Sequence, residues 1–316
     1  MELQTKISLQ SQQHNQIDYN SKILLLGSCF VESIGEKLNY FKFQNTINPF
    51  GIFFHPNAIE ALITNAINEK KYLEKDVFFH DERWHCFEAH SILSNVSKDA
   101  LLDELNKQVR LTTEQINTST HLIITLGTSW VYRLIEDDTI VANCHKVSQK
   151  KFLKELLLVD DVVNSLQAII VLLKQVNPKV SIIFTVSPVR HIKDGFVENN
   201  LSKSHLISGI HQVINEREST YYFPSYEIMM DELRDYRFYD EDMIHPNKTA
   251  VNYIWEKFQQ VWISQEALTT VDEVKTIQKG LSHKPFHPNS NSHQQFLQKL
   301  EDKKIHLRKQ FPHITF

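Results

Sequence analysis

Lys22–Gly27 reads KILLLG, and Ser28-Cys29-Phe30 follows without a break. A short, continuous apolar run of this kind suits a strand covered on both faces, as in a parallel sheet. Related runs recur at 121–127 (HLIITLG), 180–186 (VSIIFTV) and 221–228 (YYFPSYEI), and 41–47 offers a fifth strand. Helical spacing of apolar residues fills the intervals at 33–38, 56–68, 98–110, 152–176, 201–216 and 247–262. The longest of these stops at Asn177-Pro178, a natural helix end. Alternating strands and helices predict an α/β fold, a doubly wound three-layer sandwich around a parallel sheet. Such sheets bind ligands outside the carboxyl ends of their strands. The loops after Leu26, Leu126, Val186 and Ile228 are therefore the expected walls of a site.

Beyond about Ser264 the character changes. Two polar helical segments, 266–279 and 292–310, are joined by Lys284-Pro285-Phe286-His287-Pro288. The expected organisation is a core domain over 1–265 and a helical extension over 266–316 packed on it, since the extension is too short to build much of a core alone. The 316 residues are 41% hydrophobic and 23% charged, as in ordinary soluble proteins. A net charge of -4 without a basic run argues against a nucleic-acid partner. Seven glycines and no GxGxxG or Walker string argue against a phosphate-binding loop. Cys29, Cys86 and Cys144, odd in number and far apart, fit a reducing compartment. Residues 1–20 are polar and lack the apolar stretch of a signal peptide, and no run approaches bilayer length. A cytoplasmic protein without a membrane partner is expected.

Two features carry chemistry. Ser28 stands where a strand turns into a helix, with its hydroxyl towards the crevice and the free N–H groups of the helix start beside it. A serine there is also a common helix N-cap. Cys29 next to it reads as a small buried thiol. The second feature is Asp242-Met243-Ile244-His245-Pro246-Asn247. A spacing of three lets one turn bring carboxylate and imidazole together. The acid then holds Nδ1–H, leaving Nε2 to take a proton from serine. Asp240 and Glu241 are less well spaced for that part.

A strand followed by Gly-Ser near the N-terminus, with DxxH before the last core helix, is the chain order of SGNH/GDSL hydrolases. The sequence resembles the GSCFA family of that superfamily, whose motif here reads Gly27-Ser28-Cys29-Phe30-Val31. The resemblance continues through Asn48-Pro49-Phe50-Gly51, Thr125-Leu126-Gly127-Thr128, Asn143-Cys144-His145-Lys146, Thr185-Val186-Ser187-Pro188-Val189-Arg190-His191, Tyr222-Phe223-Pro224-Ser225-Tyr226-Glu227 and 233–239. It covers roughly 20–265 and implies a flavodoxin-like fold, no cofactor, Ser28 as nucleophile, Asp242 and His245 as its partners, and backbone N–H groups of Ser28 and Gly51 in an oxyanion hole. One departure stands out. SGNH enzymes carry GxND after the third core strand, and the asparagine supplies a further oxyanion donor; here the string is Gly127-Thr128-Ser129. Ser129, Thr128, Asn143 and Asn48 are the candidate replacements. Loss of one such donor costs about 3–4 kcal/mol of transition-state stabilisation.

Arg190 and His191, just past the strand ending at Val186, are placed to hold an anionic or hydroxylated part of a substrate, or to serve structure; His145 has the same two readings. Asn48 and Thr128 join this substrate-contacting set. Tyr226, Glu227, Arg234 and Arg237 suggest a buried polar network. His80, His85 and His90 lie five apart, off any single helix face, and neither HExxH nor a cysteine pair occurs, so a metal hydrolase is the weaker alternative. The expectation is a serine esterase acting on short O-acyl esters, such as an acetyl group on a sugar. An acyltransferase on the same site and a non-catalytic carbohydrate-binding module are the rivals.

Overall fold

Five parallel strands form the central sheet: β1 (Lys22–Gly27), β2 (Gln44–Ile47), β3 (His121–Leu126), β4 (Ser181–Val186) and β5 (Thr220–Tyr222). This is a computed structural model that describes residues 4–316; residues 1–3, the start of the polar N-terminal segment, lie outside the described residues. The spatial order is β5-β4-β3-β1-β2, which read from the other edge is the 2-1-3-4-5 order of flavodoxin-like sheets.

Every residue of β3 and β4, and all of β1 but Lys22, is buried. That explains the continuous apolar runs, because each strand must be apolar on both faces. Leu24, Leu26, Leu122, Ile124, Ile182 and Phe184 point to one side. There they pack with the helices Pro56–Ile67, Lys98–Thr118, Val159–Val176 and Phe196–Val213. Ile23, Leu25, Ile123 and Ile183 point to the other side, against Cys29–Tyr40 and Lys248–Trp262. The expected three-layer α/β/α sandwich is the architecture observed.

The C-terminal helices Gln265–Leu281 and Asn291–Gln310 join that second layer. Val274, Ile277, Leu300, Leu307 and Ile314 share one buried cluster with Tyr19, Phe41 and Trp255. Among the described residues no helix is long and apolar enough to cross a membrane.

Two stretches differ in kind from the sequence reading, beyond shifts in element ends. The strand expected over 221–228 ends at Tyr222; Pro224, which has no N–H for a ladder, leads into a helical turn at Ser225–Glu227 and a π-helical turn at Ile228–Glu232. The helix expected over 152–176 begins only at Val159, capped by the Asp161 carboxylate accepting from Leu158 N–H at 2.9 Å. Phe152–Leu156 is instead a strand. It pairs antiparallel with Trp130–Leu134, which also pairs with Thr139–Val141, forming a small separate sheet after β3.

Candidate active site

Chain order reverses between β1 and β3, so the switch-point crevice opens at their carboxyl ends. Ser28 is the first residue past β1. Its turn depends on Gly27, whose φ is +134° and where an added Cβ would lie 2.1 Å from the Thr125 carbonyl oxygen. Ser28 does occupy the N-cap position of Cys29–Tyr40, but its side chain makes no capping bond. Its Oγ is buried without any hydrogen-bond partner. The capping role therefore does not account for this hydroxyl.

The expected oxyanion donors are arranged otherwise than the resemblance implies. Ser28 N–H donates to Thr125 O at 3.0 Å, and Gly51 N–H donates to Asn48 O at 2.7 Å, closing the Asn48-Pro49-Phe50-Gly51 turn. Both N–H groups are engaged within the fold. Asn48 differs. It accepts Gly27 N–H on Oδ1 at 2.9 Å, which fixes the orientation of its amide. Its Nδ2 is then left buried and unpartnered. Glu32 is near enough that this amide lowers its carboxyl pKa, against a larger upward push from burial, yet outside hydrogen-bond geometry. Asn48 holds a left-handed φ of +41°, which asparagine tolerates.

The Asp242–His245 pair forms as its spacing predicts. Asp242 Oδ1 accepts the N–H groups of Ile244 and His245, each at 2.9 Å, and Oδ2 accepts His245 Nδ1–H at 2.6 Å. The backbone N–H of His245 first, then its side chain and Ile244 N–H, hold the Asp242 carboxyl down to about 2. Nδ1 therefore carries a proton, and in the neutral imidazole the lone pair is on Nε2. The loop returns through Asp240 N–H to His245 O at 2.8 Å, and Asn247 caps the next helix by accepting from Thr249 and Ala250 N–H. His245 is exposed, and no hydrogen bond joins it to Ser28.

Thr128 and Ser129 are drawn away from the crevice. Ser129 N–H donates to Ser202 Oγ at 2.7 Å, Ser129 Oγ donates to Ser202 O at 3.2 Å, and Thr128 Oγ1 shares a bond with Ser202 Oγ at 2.9 Å. Asn143 Oδ1 accepts His145 N–H at 2.8 Å and shapes that turn. His145 is buried with both nitrogens occupied, Nε2–H by Cys86 O at 2.7 Å and Nδ1 by Ser91 Oγ at 3.2 Å. It has no polar atom left for a substrate. Burial pushes its pKa down to about 4.

His85 is likewise saturated, by His80 O and Ser94 Oγ. Among the described residues no cluster is suited to a metal. The expected buried network is also not there: Glu227 pairs with Tyr222, Arg237 pairs at the surface with Asp235, and Arg234 is exposed. His191 does reach the crevice. Its edge meets Phe54, its Nε2 is buried and unpartnered beside Gly127, and burial, then Lys203 and His245, bring its pKa down to about 4. Arg190 sits one residue earlier, its N–H 3.4 Å from Ile244 O of the Asp242–His245 loop.

One group escaped the sequence reading. The helix Phe196–Val213 turns Asn199, Ser202 and Lys203 inward with Leu206 and Ile210. Asn199 Oδ1 accepts His191 N–H at 3.0 Å, Ser202 holds Thr128 and Ser129, and Lys203 Nζ donates to Ser187 O at 2.7 Å. These three residues brace the loops after β3 and β4. Burial pushes the Lys203 ammonium down to about 7, opposed by Cys29 nearby. The signal was available: polar residues at i, i+3 and i+4 on the face that continues into the buried stripe.

The sequence profile of the GSCFA family matches residues 22–258. The chain belongs to the GSCFA family. A second profile, the C-terminal domain of GSCFA domain proteins, matches residues 274–316. No curated protein matches this GSCFA chain. Two similar solved structures are an acetyl esterase mutant with an acetate ion and a carbohydrate esterase of family 3 from Talaromyces cellulolyticus. The first has 10% identity and a TM-score of 0.38, and covers 80% of this chain and 99% of its own. The second has 9% identity and a TM-score of 0.37, with 81% and 99% coverage.

Proposed function

We propose that this GSCFA protein is a serine esterase of the SGNH/GDSL type acting on short O-acyl esters. The observation that carries the reading is the buried, unpartnered Ser28 Oγ at the switch point, with an Asp–His pair elsewhere in the chain whose Nδ1 is held by the carboxylate. Ser28 Oγ attacks the ester carbonyl while His245 Nε2 takes its proton. The tetrahedral oxyanion is held by Asn48 Nδ2, the donor left free beside Gly27. The proton passes from His245 to the leaving alcohol as the C–O bond breaks, giving an acyl-enzyme. Water then repeats the sequence and releases the acid. Asp242 keeps Nδ1–H oriented and stabilises the imidazolium. Ser28 and His245 come into hydrogen bond only as substrate is taken up, in keeping with catalytic bonds that tighten in the reacting complex.

The test compares the parent with Ser28→Ala and His245→Ala on p-nitrophenyl acetate. Both variants are expected to lose at least roughly a thousandfold in rate; three equal rates would remove the triad. A rival reading, a carbohydrate-binding module on the same fold, draws on the engaged N–H groups of Ser28 and Gly51. A fluorophosphonate probe separates the two, because stoichiometric labelling of Ser28 needs an activated nucleophile.

A further inference from the structure

Beside the Asp242–His245 loop lies a cavity of about 250 Å³ whose wall includes Arg190, Arg234, Met230, Asp235, Tyr236 and Tyr239. Arg190 dominates it chemically. A guanidinium has five N–H donors and is always charged. Here one nitrogen, Nη2, donates to the Met230 sulfur at 3.1 Å, a weak acceptor, and Nε is buried with no partner. The group lies 5.9 Å from the Tyr239 ring centroid. Neither Arg190 nor Arg234 makes a salt bridge among the described residues. The carboxylate in the wall, Asp235, is taken by Arg237 at 2.9 Å and by Arg237 N–H. The cavity therefore holds two cations without a counter-ion, one of them partly withdrawn from water. A charge so placed is costly unless paired.

We infer that this cavity binds an anionic oxygen group, a carboxylate or a phosphate, carried on the alcohol portion of the ester. Arginine suits both through paired N–H donors. The position fits: Arg190 N–H meets Ile244 O, Tyr239 bridges to Pro246, and Asn247 Nδ2 donates to Tyr239 O at 3.1 Å. Cavity wall and His245 loop are one piece, so an anion anchored at Arg190 presents the adjoining ester beside His245. The volume holds a group of monosaccharide size, and Tyr236 and Tyr239 supply an aromatic side to it. Calling the ligand part of the substrate rests on the esterase reading above; anion binding itself does not.

Calorimetric titration of the full chain with glucuronate, inorganic phosphate and glucose tests this. One of the two anions is expected to bind one-to-one and at least roughly tenfold tighter than glucose, with the tighter anion identifying carboxylate or phosphate as the source. Arg190→Met is expected to weaken that binding by roughly tenfold or more. If that variant does not fold, Arg234→Gln at an exposed position decides: weakening supports the site, and unchanged affinity overturns it. Absence of binding by either anion, or a folded Arg190→Met protein that binds like the parent, also overturns it. Titrating Ser28→Ala keeps the two readings apart, since anion binding there does not depend on whether Ser28 is the nucleophile.

Discussion

Ser28 Oγ and Asn48 Nδ2 are two polar atoms that the fold buries and leaves unpaired, and Asn48 is tied by its Oδ1 to the N–H of Gly27, the residue before Ser28. A lone buried hydroxyl costs roughly 1–3 kcal/mol. Ser28→Ala is therefore predicted to be as stable as the parent or about 1 kcal/mol more stable, while ester turnover collapses. Urea midpoints beside rates check this, and a clearly destabilised variant would mark the hydroxyl as structural. For Asn48→Ala the prediction is a fall in kcat of roughly 10²–10³ with KM little changed, the signature of a donor used only in the transition state. A KM effect alone would place Asn48 in ground-state binding. At this scale much was legible. The three-residue spacing of Asp242 and His245 suffices for their pairing, because the contact is local. The destinations of the Ser28 and Ser129 N–H groups were not, since their acceptors, Thr125 O and Ser202 Oγ, lie far away in sequence.

Among the elements, the β1–helix junction is the most demanding. Gly27→Ala puts a side chain at φ +134° and against Thr125 O. A loss of at least roughly 2 kcal/mol in urea unfolding is predicted, from strain and overpacking together; a loss below half of that would mean β1 and β3 separate easily. The buried strands β1, β3 and β4 announce themselves because double-sided burial leaves no room for polar residues. Phe152–Leu156 does not. Its FLKEL pattern satisfies a helix as well as a strand, and what makes it a strand is Trp130–Leu134 lying alongside. The same holds for the end of β5, where Ser225 Oγ donates to Val186 O at 2.7 Å and draws the chain out of the ladder.

For the whole molecule, buried histidines set the acid limit. His55 and His145 are both pushed down to about 4 by burial, and each has its ring nitrogens committed. Unfolded histidine titrates near 6.5. As pH falls below that value the unfolded chain takes up protons that the native one refuses. The stability these groups give is thus complete above about 6.5 and is lost towards about 4, by up to roughly 1.4 kcal/mol per pH unit for each. His55→Asn keeps an acceptor for Ala58 N–H without titrating. Its urea midpoint is predicted to drop less than the parent's between about pH 7 and about pH 5; parallel drops would assign acid sensitivity elsewhere.

Ser28 at the end of an apolar run, the Asp242–His245 turn and the order of strands and helices were determined by the sequence itself, through short-range geometry and the demand that central strands be apolar on both faces. The tertiary structure alone decided which polar atoms stay free. It engaged the N–H groups of Ser28 and Gly51, turned Thr128 and Ser129 to Ser202, saturated His145, and left Ser28 Oγ, Asn48 Nδ2 and Arg190 Nε without partners. Hydrogen-bond satisfaction is settled by whichever groups folding brings within about 3 Å, and no pattern along the chain states that.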